Sequence, residues 1–266
     1  MEILDYNDYA AYPGTELRDR YKLAHSWIPA GSRRILDGGC AFGSGTRHFQ
    51  VKDAKVWGVD PNAGFIGIAQ RRYPNISFAV CGLEKTPFEA GFFDVIILND
   101  VLEHVADENK TLNEMYRVLA ANGSFIITTP HKGFFGFMDP DNYVYYLRTR
   151  LPKLYKLLFR IKYGKLPPVS IKPGYEELHR HYSLADFKKL LNESDFKNKY
   201  LIDKVNRSGL FMSYLASNIF ELVSILVGIK FATKLTSWLT WFSDIDFLIS
   251  YGIFSSNIGI RVKKTS

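Results

Sequence analysis

Apolar positions in the first 130 residues fall into short runs, each closed by a polar residue. Arg34-Ile-Leu-Asp37, Val56-Trp-Gly-Val59 with Asp60 next, Ile76 to Val80, Phe93 to Leu98 and Ser124 to Thr129 are five such runs. Short apolar runs bounded by turn signals predict buried strands. Between them the spacing becomes helical. Ala63 to Arg72 is one helical segment, ended by Tyr73-Pro74. In residues 109–119, Leu112, Met115, Tyr116 and Leu119 recur every three or four positions, and Asn122-Gly123 closes the segment. Strands alternating with helices predict an α/β fold whose parallel sheet is covered on both faces. Such sheets bind ligands beyond the carboxyl ends of their strands, where the strand order reverses. Asp37, Asp60, Asn99 and Thr129-Pro130-His131 all fall at those ends.

After residue 130 the pattern changes. In residues 131–180, Phe134, Phe135, Tyr145, Tyr155 and Phe159 interleave with Arg148, Arg150, Lys153, Lys156 and Arg160. Leu147, Leu151, Leu154, Leu158 and Ile161 recur at helical spacing, which predicts an amphipathic basic helix started or kinked by Pro152. Residues 208–229 contain one charge, Glu221, and residues 235–255 contain two, Asp244 and Asp246. The first stretch approaches the ~20 apolar residues that span a bilayer. Asn257 to Lys263 has the pattern of a final strand, so the apolar stretch must leave the sheet and return, and a single span is excluded. A helical hairpin against one leaflet and a buried interface with a second copy remain as alternatives.

Charge sharpens this division. The 266 residues carry 34 Lys+Arg and 27 Asp+Glu, a formal net charge of +7. Residues 1–130 account for −3, residues 131–180 for +6 and residues 181–266 for +4. The positive excess therefore accompanies the apolar second half and predicts an anionic partner there. Nucleic acid is not expected, because the basic residues border a large apolar face rather than a polar one. Two cysteines, Cys40 and Cys81, cannot form a disulfide framework, and no metal-ligand spacing occurs. The acidic, aromatic start of the chain lacks a basic n-region and an apolar h-region, so the expected location is cytoplasmic, peripheral on a membrane.

The first strand runs directly into Gly38-Gly39-Cys40-Ala41-Phe42-Gly43-Ser44-Gly45. A dinucleotide fingerprint starting at Gly43 would need glycine or alanine at position 48, which is His48, and no Gly-Lys-Ser/Thr ending marks a P-loop. The segment Ile35-Leu36-Asp37-x-Gly39-Cys40-x-x-Gly43-x-Gly45 instead resembles motif I of the class I S-adenosylmethionine-dependent methyltransferases. The resemblance continues in order through Gly58-Val59-Asp60, Phe78 to Phe88, Phe93 to Val105 and Glu114 to Gly123. The nearest subgroup is the small-molecule and ubiquinone-biosynthesis type, chiefly O-methyltransferases. Ala41 departs from the usual middle glycine, and Gly82 stands where the family usually has an aspartate for the adenine amino group.

The resemblance implies a Rossmann-like, doubly wound sheet of seven strands, six parallel and one antiparallel. Residues 1–130 would form the cofactor-binding core and 131–180 a basic aromatic cap. Residues 181–266 would complete the sheet around an apolar helical insertion at 208–255. The implied cofactor is S-adenosyl-L-methionine. Asp60 would accept from its ribose hydroxyls, with Pro61 opening the next helix. Gly39, Cys40 and Gly43 would form the cradle. Asp37 would orient the turn and the amino group, and Arg20 would hold the methionine carboxylate. Gly82, Leu83 and Glu84 would meet the adenine; Asn99 would lie near the sulfonium, and His104 would pack over the cofactor or serve the fold.

Methyl transfer to an alcohol or phenol benefits from a general base. His131, directly after the fifth strand, and His181, in His179-Arg180-His181 before the late helix Leu184 to Leu191, are the candidates; capping that helix is the other role open to His179 and His181. The expected acceptor is small and apolar or lipid-linked, with a glycan or natural product as the alternative in a soluble dimer. A membrane-docked adapter that keeps the fold without catalysis is the competing class.

Overall fold

A computed structural model of the chain describes residues 17, 19–134, 136, 140–164, 166, 180–209, 219–220, 222–227 and 249–265. Seven strands form one sheet: β1 (Arg34–Gly38), β2 (Lys55–Asp60), β3 (Ser77–Val80), β4 (Phe93–Asn99), β5 (Leu119–Pro130), β6 (Tyr200–Ser208) and β7 (Asn257–Lys264). The helices are α1 (Asp19–Ser26), α2 (Ala63–Arg72), α3 (Glu108–Val118), α4 (Pro140–Arg150), α5 (Pro152–Tyr163) and α6 (Leu184–Glu193). Local signals account for several boundaries. The Asn62 side chain accepts from Gly64 N to cap α2, Asp107 accepts from Lys110 N to cap α3, and Ser183 with Asp186 forms a capping box on α6.

The strand order is β3-β2-β1-β4-β5-β7-β6. β2 and β4 flank β1, and the pairs β2/β3, β1/β2, β1/β4 and β4/β5 are all parallel. β7 runs against its neighbours: Thr265 N donates to Lys199 O while Arg261 pairs with Asp203, so rising numbers on one strand meet falling numbers on the other. The doubly wound seven-stranded sheet expected from the sequence is therefore present. Its strands alternate between two cores. Leu36, Ile96, Leu98, Phe125 and Ile127 pack in one, and Ile35, Val95, Ile97 and Ile126 in the other. Both faces are covered, which is why these strands read as nearly continuous apolar runs.

One boundary differs from the sequence reading. β5 begins at Leu119 rather than near Ser124. Phe93 pairs with Leu119 and Val95 with Ser124, so three extra residues are absorbed in a bulge. Asn122, at φ 61, and Gly123 lie inside this irregularity instead of ending the preceding helix.

The chain divides into two compact units. Among the described residues, one comprises those of 5–129, 182–206 and 258–266, and the other those of 130–181 and 207–257. Most of residues 208–255, the expected apolar insertion, lies outside the described residues, as does His179. No helix among the described residues is long and apolar enough to cross a membrane.

Candidate functional site

The strand order reverses between β1 and β4, and the glycine turn leaves β1 at that point. Gly39 N and Cys40 N both donate to Val59 O, at 2.8 and 3.0 Å, so the turn is tied to β2 as well. Gly39 has φ +72, and a Cβ there would stand 2.5 Å from Val101 Cγ2; only glycine fits. At Gly45 a Cβ would fall 2.0 Å from the Tyr21 ring of α1, so the turn and α1 meet at backbone distance. Gly43 holds φ +73 and donates to Cys40 O. Ala41, in place of the usual glycine, is itself left-handed at φ 45, a conformation that costs a non-glycine residue about 1 kcal/mol.

Asp60 closes β2, and backbone amides orient both of its oxygens. Ala41 N donates to Oδ2 at 3.2 Å and Asn62 N to Oδ1 at 2.7 Å. A carboxylate can accept about four hydrogen bonds, so this one can also receive a vicinal diol. Pro61 is exposed beside it. Asp37 is buried and accepts from Thr46 Oγ1 at 2.6 Å. Burial pushes its carboxyl up to about 7; Asp60 adds to the rise and the Thr46 bond opposes it. Cys40 is buried nearby, and burial, with Asp37 and Asp60, raises its thiol.

At the end of β4, Thr128 Oγ1 donates to Asn99 Oδ1 at 2.9 Å. That bond fixes the amide, whose Nδ2 is buried with no hydrogen-bond partner among the described residues. The next residue, Asp100, is left-handed at φ 51 and pairs with Arg20 Nε at 2.8 Å. Arg20, expected to meet a cofactor carboxylate, thus faces a carboxylate of the chain itself. The pairing joins residues eighty apart in sequence, and no local signal announces it. Of Glu103-His104, Glu103 is the inward member, accepting from Thr129 Oγ1 at 3.0 Å, whereas His104 is exposed.

The loop carrying Gly82, Leu83 and Glu84 is anchored from α3. Glu114 accepts from Thr86 N and Thr86 Oγ1, and Arg117 clamps Glu114 while donating to Phe88 O at 2.8 Å. Burial would raise the Glu114 carboxyl, but Arg117 and Thr86 together draw it down to about 2. Leu83 is buried against Gly38, and a Cβ on Gly82 would approach Glu84 Oε2 to 2.9 Å. Sequence reasoning saw the Glu114–Arg117 helix and missed its task of holding this loop.

His131 and His181 both belong to the other unit. His131 follows β5 directly, is buried, and lies against Ser255. Burial lowers its imidazole below the usual value, the Ser255 carbonyl opposes this, and Arg207 and His181 add to it. His181 is half-buried, and a Cβ on Gly136 would stand 3.2 Å from its Nδ1.

Residues 36–127 match the family model described as a methyltransferase domain. The ubiquinone/menaquinone biosynthesis C-methyltransferase of Campylobacter jejuni is 28% identical over 117 residues, 42% of this chain and 48% of that one. The mitochondrial ubiquinone biosynthesis O-methyltransferase of Rattus norvegicus is 37% identical over 112 residues, 39% of this chain and 32% of the relative. The chain thus spans about half the length, or less, of these relatives. Geranyl diphosphate methyltransferase, solved with S-adenosylmethionine, superposes with a TM-score of 0.53 at 15% identity, covering 92% of this chain and 84% of that one. The [4+2]-cyclase SpnF superposes with a TM-score of 0.55 at 16% identity, over 92% and 80%. A cyclase on this fold means that the architecture alone does not assign a reaction. Motif order, domain match and sheet topology agree: residues 36–127 form a methyltransferase domain, set in a sheet of the class I S-adenosylmethionine-dependent type.

Proposed function

We propose that this chain transfers a methyl group from S-adenosyl-L-methionine to an oxygen of a small, apolar or lipid-linked acceptor at an anionic membrane surface. The observation that carries the cofactor reading is Asp60, whose carboxylate is aimed by two backbone amides at the end of β2. The surroundings fit the group: the turn at Gly39 leaves backbone where a side chain would collide, and Asn99 Nδ2 is a buried donor with no hydrogen-bond partner among the described residues. Asp60 would take the ribose hydroxyls, the Gly39–Gly43 turn the amino-acid part, and the Gly82–Glu84 loop the adenine. When bound, the cofactor supplies an electrophilic methyl carbon. The chain's part is to orient the acceptor, exclude water and accept a proton, and His131 and His181 are the groups for that last task. The curated relatives carry names from ubiquinone and menaquinone biosynthesis, which supports a quinone-type acceptor.

Support for the membrane comes from α5. Leu151, Leu154, Leu157 and Ile161 are all exposed and lie three or four residues apart, so the unit shows water an apolar stripe. Lys153, Lys156 and Arg160 are exposed around it. A second copy of the same basic helix would be repelled, whereas anionic headgroups would be attracted.

Calorimetry with S-adenosylhomocysteine tests the cofactor reading. Asp60→Ala should weaken binding about 100-fold, the loss expected when a buried-side charged hydrogen-bond acceptor is removed. Unchanged affinity would overturn the reading.

A further inference from the structure

Nδ1 of His131 faces two oxygens with unequal proton requirements. The carbonyl oxygen of Ser255, 3.2 Å away, can only accept. The Ser255 hydroxyl lies 2.8 Å from the same nitrogen, and its own proton is directed to Gly252 O, 2.9 Å away. A hydroxyl has one proton to give, so toward the ring this oxygen also accepts. Nδ1 therefore carries the hydrogen, and in the neutral imidazole the lone pair lies on Nε2. Among the described residues Nε2 makes no hydrogen bond.

The backbone holds ring and serine at this separation. His131 N donates to Ser256 O at 2.9 Å, and Phe134 N donates to Ile253 O at 2.8 Å. A Cβ at Gly133 would stand 2.5 Å from Ser255 O, 2.7 Å from Ile253 O and 2.8 Å from His131 Nδ1. Any side chain there would drive the two segments apart. Among the described residues the charged or titratable groups facing the ring are Arg207 and His181, which with burial draw its imidazole below the usual value.

We infer that Ser255 is a positioning residue whose hydroxyl and carbonyl fix the Nδ1–H tautomer of His131, leaving Nε2 as the proton acceptor for a hydroxyl-bearing substrate. This rests on the reading of His131 as general base. The acceptor's hydroxyl proton passes to Nε2. The electron pair it leaves on oxygen forms the new bond to the methyl carbon, and the pair of the broken carbon–sulfur bond stays on sulfur. His131 is left as imidazolium and returns its proton to water. The sequence offered His131 by its place after β5, but Ser255 is 124 residues away and carries no local signature.

Long-range proton–nitrogen correlation on protein with labelled histidine reads the tautomer directly, with His131→Gln identifying the ring's signals. The intact chain should show a protonated Nδ1 and an unprotonated Nε2; a protonated Nε2 in the neutral ring overturns the inference. Ser255→Ala should admit the second tautomer. It should also lower kcat roughly tenfold at unchanged KM toward 4-tert-butylcatechol as test acceptor, within the range of positioned proton transfer. Ser255→Thr should restore both. Unchanged ring signals and rate in Ser255→Ala overturn the inference. If that variant fails to fold, the tautomer of the intact chain and the Thr variant still decide. A fully active His131→Gln defeats the base reading while leaving the tautomer assignment standing, so the two failures are distinguishable.

Discussion

Ile96 in β4 and Leu157 on α5 are both aliphatic residues in regular secondary structure, yet the first is completely buried and the second is 55% exposed. Around Ile96 the alternation along β1, β4 and β5 feeds two cores, and each apolar residue has a place in one of them. Around Leu157 the same chemistry, at helical spacing, faces water beside lysines and an arginine. Stability accounts for the first arrangement. The second is the kind of surface on which the proposed membrane docking rests, because contiguous exposed apolar surface is disfavoured without a partner.

Paired truncations test this contrast most severely. Ile96→Ala should cost about 3–5 kcal/mol in urea unfolding, and Leu157→Ala less than about 0.5 kcal/mol. Comparable losses at both sites would mean that α5 is packed after all.

The buried carboxyl offers a second test, confined to the sheet unit. Because Asp37 titrates near 7 when folded and at its ordinary value of 3.8 when unfolded, the folded state binds the extra proton between those values. Its contribution to stability is therefore fully present below pH ~4 and lost as pH rises through about 7. The stability of Asp37→Asn relative to the intact chain should climb by up to about 4 kcal/mol across that window, at ~1.4 kcal/mol per pH unit, and then level off. A flat difference would remove the burial argument for this residue.

In the other unit the effect belongs to binding. Leu154→Ser with Leu157→Ser should reduce partitioning onto phosphatidylserine-containing vesicles about tenfold, measured by flotation, and hardly shift the unfolding midpoint. Equal partitioning of variant and parent would sink the membrane reading. The smallest effect is expected at Ala41→Gly, which relieves a left-handed alanine and should raise stability by about 0.5–1 kcal/mol.

Strands and their ends were readable in the sequence because burial on both faces leaves an unbroken apolar run with a polar stop. Asp37, Asp60 and Asn99 could be placed from those stops alone. The start of β5 could not, since a bulge at Asn122-Gly123 has the same composition as a helix terminus. Arg20 shows a different limit. Its charge was visible, but its partner Asp100 depends on how α1 returns to the end of β4. The depth of Asp37 and the serine beside His131 were equally hidden, because each is a fact of packing rather than of spacing.

β7 comes after β6 along the chain but lies inside it, between β5 and β6. Order of synthesis and order of assembly are thereby uncoupled. A nascent chain that has completed β6 has no neighbour on which to dock it until Ile258, Ile260 and Val262 arrive to fill the slot. Until then β5 presents a bare apolar edge, open to pairing with another copy. The sheet unit should therefore close late and rely on contacts distant in sequence, which places its greatest hazard of misassembly in the interval before β7 emerges.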